Sequence, residues 1–187
     1  MVHADDARIS DETLIGRVAA GDSSAFARLI RRHGAMVYRF ARAAAPQETD
    51  CEEILREAFL AARRGAGRYR DEPSGRSWLL ALARRAVERR SPRPGAGSAS
   101  FGELARAAAR RGPAAWDGSG GPAEAVAAAL AALPAEDREI LTLYDRELLT
   151  LDEVARVTGI ADAALRTRLH RARLRLLAEL KGALRGG

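Results

Sequence analysis

The sequence predicts an all-α protein of two small helical domains joined by a flexible linker. Three observations predict it. The apolar residues, 47% of the 187, are largely alanine and spaced leucine with few β-branched runs, which favours helix over strand. They recur at three- and four-residue spacing between capping residues, glycines and prolines. Between two such blocks lie "SPRPGAGSASFG" and "RRGPAAWDGSGGP", so residues 91–121 are expected to be a linker.

The elements follow in order. Residues 1–10 are expected to be disordered. Ser10 is a candidate N-cap, with Leu14, Ile15 and Val18 at helical spacing and Gly21 as a stop. A second helix starts at Ser23 or Ser24, carries Phe26, Leu29, Ile30, Val37, Phe40 and Ala41 on one stripe, and ends before Pro46. Thr49 or Asp50 caps a third, with Ile54, Leu55, Ala58, Phe59 and Ala62 inward, ended by Gly65 and Gly67. After the loop "RYRDEPSG", a fourth runs from Gly75 to Arg90 with Trp78, Leu79, Leu82 and Ala83 on its apolar side. Within the linker, a short helix is possible over Glu103–Arg111, and Trp116 is either docked on a neighbour or incidental.

The second domain, residues 122–184, opens at Pro122, a favourable first helical position. Helices are expected over Ala123–Leu133, Glu136–Asp145 and from the Thr150 cap to Val157. Thr158-Gly159-Ile160 is a turn, and Asp162 is expected to cap a long helix to about Leu180, its carboxylate taken by backbone amides.

Composition excludes several classes. Cys51 is the only cysteine, and His3, His33 and His170 are far apart, so no disulfide, metal or cofactor is expected. No run approaches the ~18 apolar residues of a membrane span. The opening "MVHADDARIS" has no apolar signal core, so a cytoplasmic protein without membrane insertion is expected. An enzyme acting on nucleic acid would need a metal-ligand cluster, a phosphate-cradling glycine loop or a Cys/His pair, and none is present.

Charge is more informative. Within the net +6, residues 54–90 carry +6 and 161–187 carry +5, against −4 over 134–160 and −2 over 1–53, with +1 over 91–133. Two basic blocks point to two nucleic-acid-facing surfaces. Every basic residue but Lys181 is arginine, which suits bidentate phosphate and guanine contacts; a GC-rich genome gives the same preference.

A short helix, a glycine turn and a longer basic helix make a helix-turn-helix. Gly159 occupies the turn position that needs positive φ. Leu165, Leu169, Ala172 and Leu176 face inward; Arg166, Thr167, His170, Arg171 and Leu174 share another, mostly polar face. Arg168, Arg173 and Arg175 are left to phosphate contacts or internal salt bridges. On this reading Arg175→Ala does little beyond a modest, sequence-independent loss.

The segment from "ALAALPAEDREILTLY" to "RLHRARLRLLAEL" resembles region 4 of the extracytoplasmic-function (ECF) group of sigma-70 family bacterial RNA polymerase sigma factors. Its recurring parts are LP-x-x-x-R-E-I-L-x-L, L-D-E-V-A and R-L-H-R-A-R. Upstream, "DCEEILREAFLAARR" and "RYRDEPSGRSWLLALARRAVERR" are similar to the polymerase-clamp helix and the promoter-melting segment of region 2. The resemblance covers about residues 11–90 and 122–181, and two motif blocks in order are more specific than either alone.

It implies a four-helix region 2-like domain over 11–90, a region 4-like helix-turn-helix domain over 122–184, and no enzymatic activity. The implied partners are core RNA polymerase through its clamp and flap regions, promoter DNA, and an anti-sigma factor. By motif position, Arg166, Thr167, His170 and Arg171 read the −35 element. Arg70, Asp71, Glu72, Ser74, Arg76, Arg84, Arg85 and Arg89 serve −10 recognition and melting, and Asp50, Glu53, Arg56 and Glu57 bind polymerase. For Asp50 the helix dipole is an equally good explanation. Two residues depart from the family pattern: Arg56 stands where Gln is usual, and Arg85 where Asn is usual near the −10 base pocket. The other class considered is a helix-turn-helix regulator with no polymerase role, which the clamp-like block disfavours.

Overall fold

The computed structural model of the protein describes residues 9–45, 50–70, 74–90 and 121–185. All of the expected linker 91–121 but Gly121, with Trp116 and the helix expected at 103–111, lies outside these residues, as do residues 1–8, the candidate cap Thr49, Asp71 and Glu72. The described residues form eight α-helices and no strand.

Four helices make the first group. α1 (Asp11–Ala19) starts where Ser10 Oγ accepts from the Thr13 amide at 3.2 Å, and the turn after it closes on Gly21 at φ +91°. α2 (Ser23–Ala44) starts at Ser23, as expected, and is capped by Asp22: its carboxylate reaches the amides of Ser24 at 2.8 Å and Ala25 at 3.1 Å, two donors that a helix start leaves unpaired. The buried stripe of α2 runs Ala25, Leu29, His33, Met36, Val37, Phe40 and Ala41. Ile30, expected on that stripe, is exposed at its edge.

α3 (Cys51–Gly65) packs Ile54, Ala58, Phe59 and Ala62 inward. Asp50 precedes it but makes no capping bond with its side chain. A 3-10 turn, Ala66–Arg68, leads toward α4 (Gly75–Arg90), whose Leu79, Leu80, Ala83 and Ala86 are fully buried. Trp78 and Leu82 are only half-buried, and Trp78 rests on Tyr69 with ring centroids 5.0 Å apart. Gly75 is needed for a close approach: a Cβ there would stand 2.7 Å from Asp11 Cβ.

The second group begins with α5 (Pro122–Ala132) and α6 (Ala135–Leu141). The expected continuation of α6 as an ordinary helix is replaced by a π-type turn over Thr142–Arg146, where the Glu147 amide bonds Thr142 O five residues back at 2.9 Å. α7 (Leu151–Thr158) carries the capping box of Thr150 and Glu153 and ends on Gly159 at φ +69°. α8 (Asp162–Arg185) follows. Asp162 is the first helical residue rather than the cap, and its carboxylate accepts from Arg166 one turn on, at 3.2 Å.

The two groups are docked on each other. α4 packs against α7, and α2 against α6 and the π-type turn. The apolar core is continuous across both.

Candidate nucleic-acid interface

α8 divides its side chains by face. Leu165, Leu169 and Ala172 are buried against α5, α6 and α7. Arg166, Thr167, His170 and Arg171 all lie exposed, so the four residues expected to read −35 DNA share the solvent face. Arg166 leans on Asp162, and the Thr167 hydroxyl donates to Ala163 O at 3.3 Å. Leu174 shares this face and is 52% exposed.

Arg168, Arg173 and Arg175, on the same helix, are committed internally. Arg168 pairs with Glu136 at 2.6 Å. Arg173 pairs with Asp145, its guanidinium 5.3 Å from the centre of the Tyr144 ring. Arg175 pairs with the buried carboxylate of Asp137. These bonds tie α8 to α6 and the π-type turn, the internal alternative that the sequence left open.

Of the residues expected to serve the −10 element, Ser74, Arg76 and Arg84 are brought to the interface between the two groups. The Ser74 hydroxyl donates to Glu153, and Arg76 donates to Glu147 O at 2.5 Å. Arg84 pairs with Glu139 at 2.9 Å and with Glu88 at 2.7 Å. Arg89 pairs with Glu57 at 3.0 Å. Arg70 and Arg85 are exposed, Arg70 donating to Tyr69 O at 3.1 Å. Burial raises the carboxyl of Glu153, but bonds from Ser74 and Thr150 outweigh it and hold the group below its ordinary range.

On α3, Arg56 and Glu53 are exposed, while Asp50 and Glu57 are half-buried. Glu53 and Glu57 both accept from Arg90, at 2.7 and 2.8 Å. The Arg90 hydrogen bond, with help from Arg89, lowers the Glu57 carboxyl to about 2. The candidate polymerase-binding face is thus pinned to the end of α4.

Sequence reasoning missed Arg39. From the middle of α2 it grips Glu147 with two bonds, 2.7 and 2.9 Å long. Its partner lies 108 residues away, and nothing local singles out Arg39. At the other end of the first group, Asp11 binds Arg32 at 2.8 Å, and His33 Nε2 stands 2.9 Å from the same oxygen without the alignment of a hydrogen bond. Burial raises the Asp11 carboxyl, and the neighbouring His33 and Arg32 more than offset it.

Residues 29–91 match the family described as Sigma-70 region 2, and residues 123–176 that described as Sigma-70, region 4. The chain is 34% identical over 178 residues to the ECF RNA polymerase sigma factor SigM of Mycobacterium tuberculosis (strain H37Rv), spanning 95% of this chain and 88% of that protein. The chain belongs to the ECF RNA polymerase sigma factors.

This sigma factor is also 27% identical over 180 residues to the RNA polymerase sigma factor CnrH of Cupriavidus metallidurans, spanning 91% of this chain and 94% of that one. The structure of CnrH in complex with the cytosolic domain of CnrY resembles it with a TM-score of 0.64 at 26% identity, over 93% of this chain and 99% of that one. As a sigma factor it is a non-enzymatic initiation factor that works with core RNA polymerase on promoter DNA. A regulator with no polymerase role is thereby set aside. No helix among the described residues is long and apolar enough to cross a membrane.

Proposed function

We propose that this sigma factor reads the −35 element with Arg166, Thr167, His170 and Arg171. The observation that carries this is the sorting of the arginines over residues 166–175: Arg168, Arg173 and Arg175 are bound internally, and Arg166 and Arg171 stand outward with a threonine and a histidine. Arginine donates a fork to guanine O6 and N7, and a hydroxyl serves either a base edge or a phosphate. The −10 element is met by Arg70, Asp71, Glu72, Ser74, Arg76, Arg84, Arg85 and Arg89, where the exposed Arg70 and Arg85 make first contact with phosphate. The α3 face of Asp50, Glu53, Arg56 and Glu57 takes the polymerase clamp, and the second helical group takes the flap.

Such a factor acts in the cytoplasm under an anti-sigma factor. The resemblance to CnrH, which is seen bound to the cytosolic domain of CnrY, supports this mode of control.

The test is run-off transcription by reconstituted holoenzyme on genomic fragments, followed by the same templates with single base changes at −35. Arg171→Ala is expected to lose discrimination at one base pair while wild type keeps it. Equal loss across all −35 sequences would defeat the assignment of Arg171 to base reading.

A further inference from the structure

We infer that Asp11 is a positioning residue for −10 recognition: held by Arg32 and His33 of α2, it seats α1 against both flanks of the segment that carries Arg70, Asp71, Glu72 and Ser74. The inference rests on the −10 assignment above and adds to it a residue that acts through α4 rather than on DNA.

The two flanks meet each other and α1. Tyr69 and Arg70 follow the 3-10 turn Ala66–Arg68, and Ser74 precedes α4. Trp78 rests on Tyr69 with ring centroids 5.0 Å apart, and the Trp78 amide donates to Ser74 O at 2.9 Å. One residue of α4 thus ties the flanks together. α1 packs against the Ala66–Arg68 turn and against α4. The second contact is tight: a Cβ on Gly75 would stand 2.7 Å from Asp11 Cβ and 3.5 Å from its Cγ. Asp11 therefore lies against the residue that follows Ser74 in the chain.

The carboxylate of Asp11 is anchored to α2. Its Oδ1 accepts from Arg32 Nη1 at 2.8 Å, and the same Nη1 donates to Ile9 O at 2.7 Å. His33 Nε2 stands 2.9 Å from that oxygen, on a side chain only 7% exposed. Successive residues of a helix point about 100° apart, so one carboxylate is held from two directions. Leu14, Ile15 and Val18 bury the apolar side of α1, but apolar contact is non-directional and leaves the register of the helix free. A charged hydrogen bond is short and directional, and fixes it. Close-packed interiors transmit strain, so a shift of α1 moves Gly75 with it. Recognition needs its side chains placed within about 0.5 Å.

The test uses holoenzyme reconstituted with the full chain, on a promoter mapped by the run-off assay and on its single base changes at −10 and −35. The variants are Asp11→Ala, Asp11→Asn and Arg32→Lys. Circular dichroism confirms the helices of each, and Asp11→Asn, which keeps the shape, carries the test where Asp11→Ala does not fold. Discrimination at −10 is expected to fall at least about threefold in Asp11→Ala and less in Asp11→Asn. Discrimination at −35 and affinity for core polymerase should stay within about twofold of wild type. Arg32→Lys, which keeps a cation beside the carboxylate, should behave like wild type. Unchanged −10 discrimination in both Asp11 variants overturns the inference. Parallel loss at −10, at −35 and in polymerase affinity also overturns it, because a merely structural residue would act on all three. Failure of the −10 reading is seen separately: holoenzyme carrying Arg85→Ala, a residue away from Asp11, would then melt promoters like wild type.

Discussion

Arg175 of α8 donates to Asp137 of α6, a carboxylate whose side chain is only 5% exposed. The arginine itself is half in water. The sequence alone placed Arg175 among residues whose loss is mild and generic. The pairing leads to a different expectation, because removing the arginine leaves a carboxylate buried without its cation.

Arg175→Ala is therefore expected to destabilise the second helical group by roughly 1–3 kcal/mol, the lower part being favoured by solvent around the guanidinium. Chemical denaturation measures it. Adding Asp137→Asn should restore much of the loss, since the stranded charge is gone. A double variant as unstable as the sum of the two single ones would contradict the pairing.

Arg166 and Arg171 should behave differently from Arg175. Each variant to alanine is expected to leave stability within ~0.5 kcal/mol, as for exposed positions without buried partners. Each should cost about 1–3 kcal/mol of discrimination at one −35 base pair. Competition between promoter variants for the holoenzyme checks both halves of this statement.

The clasp between α3 and α4 titrates in acid. The Glu57 carboxyl is lowered to about 2 from 4.5, chiefly by its hydrogen bond from Arg90. A lowered carboxyl adds stability that is fully present above its unfolded value and lost as pH falls through the folded one. Stability should fall between about pH 4.5 and pH 2. Glu57→Gln should lower stability at pH 7 and flatten that part of the profile. Asp11 and Glu153, also held below their ordinary range, fade in the same direction, so the difference between wild type and variant is the quantity to follow.

Gly75→Ala should be costly although the residue begins a helix, where alanine is normally favoured. The new Cβ would stand 2.7 Å from Asp11 Cβ and 3.2 Å from Ile15 Cδ1. Neither is the tip of a flexible polar chain, so α1 and α4 must move apart. A loss of about 1–3 kcal/mol is expected, as for other overpacked sites. A melting temperature equal to wild type would show that the contact relaxes freely.

Much of this was legible from local signals. Ser10, the Thr150–Glu153 box and Gly159 mark helix ends through bonds and dihedrals that span only a few residues. The apolar period of α8 assigned Leu165, Leu169 and Ala172 to the inside and left Arg166, Thr167, His170 and Arg171 outside. The misses near helix ends have local reasons too. Asp50 already has helical backbone angles, φ −79° and ψ −16°, where a cap is extended, and Asp162 is drawn to Arg166.

What no local pattern contains is the destination of the charges. Arg39 meets Glu147 across 108 residues, Arg84 meets Glu139 across 55, and Arg175 meets Asp137 across 38. Period and capping establish which face of a helix a charge occupies, because they depend on neighbours along the chain. Whether that charge is free for DNA or spent on a partner depends on which helix lies opposite. That follows from the packing of the whole core, and here it turned Arg76 and Arg84 from open phosphate contacts into parts of a closed interface.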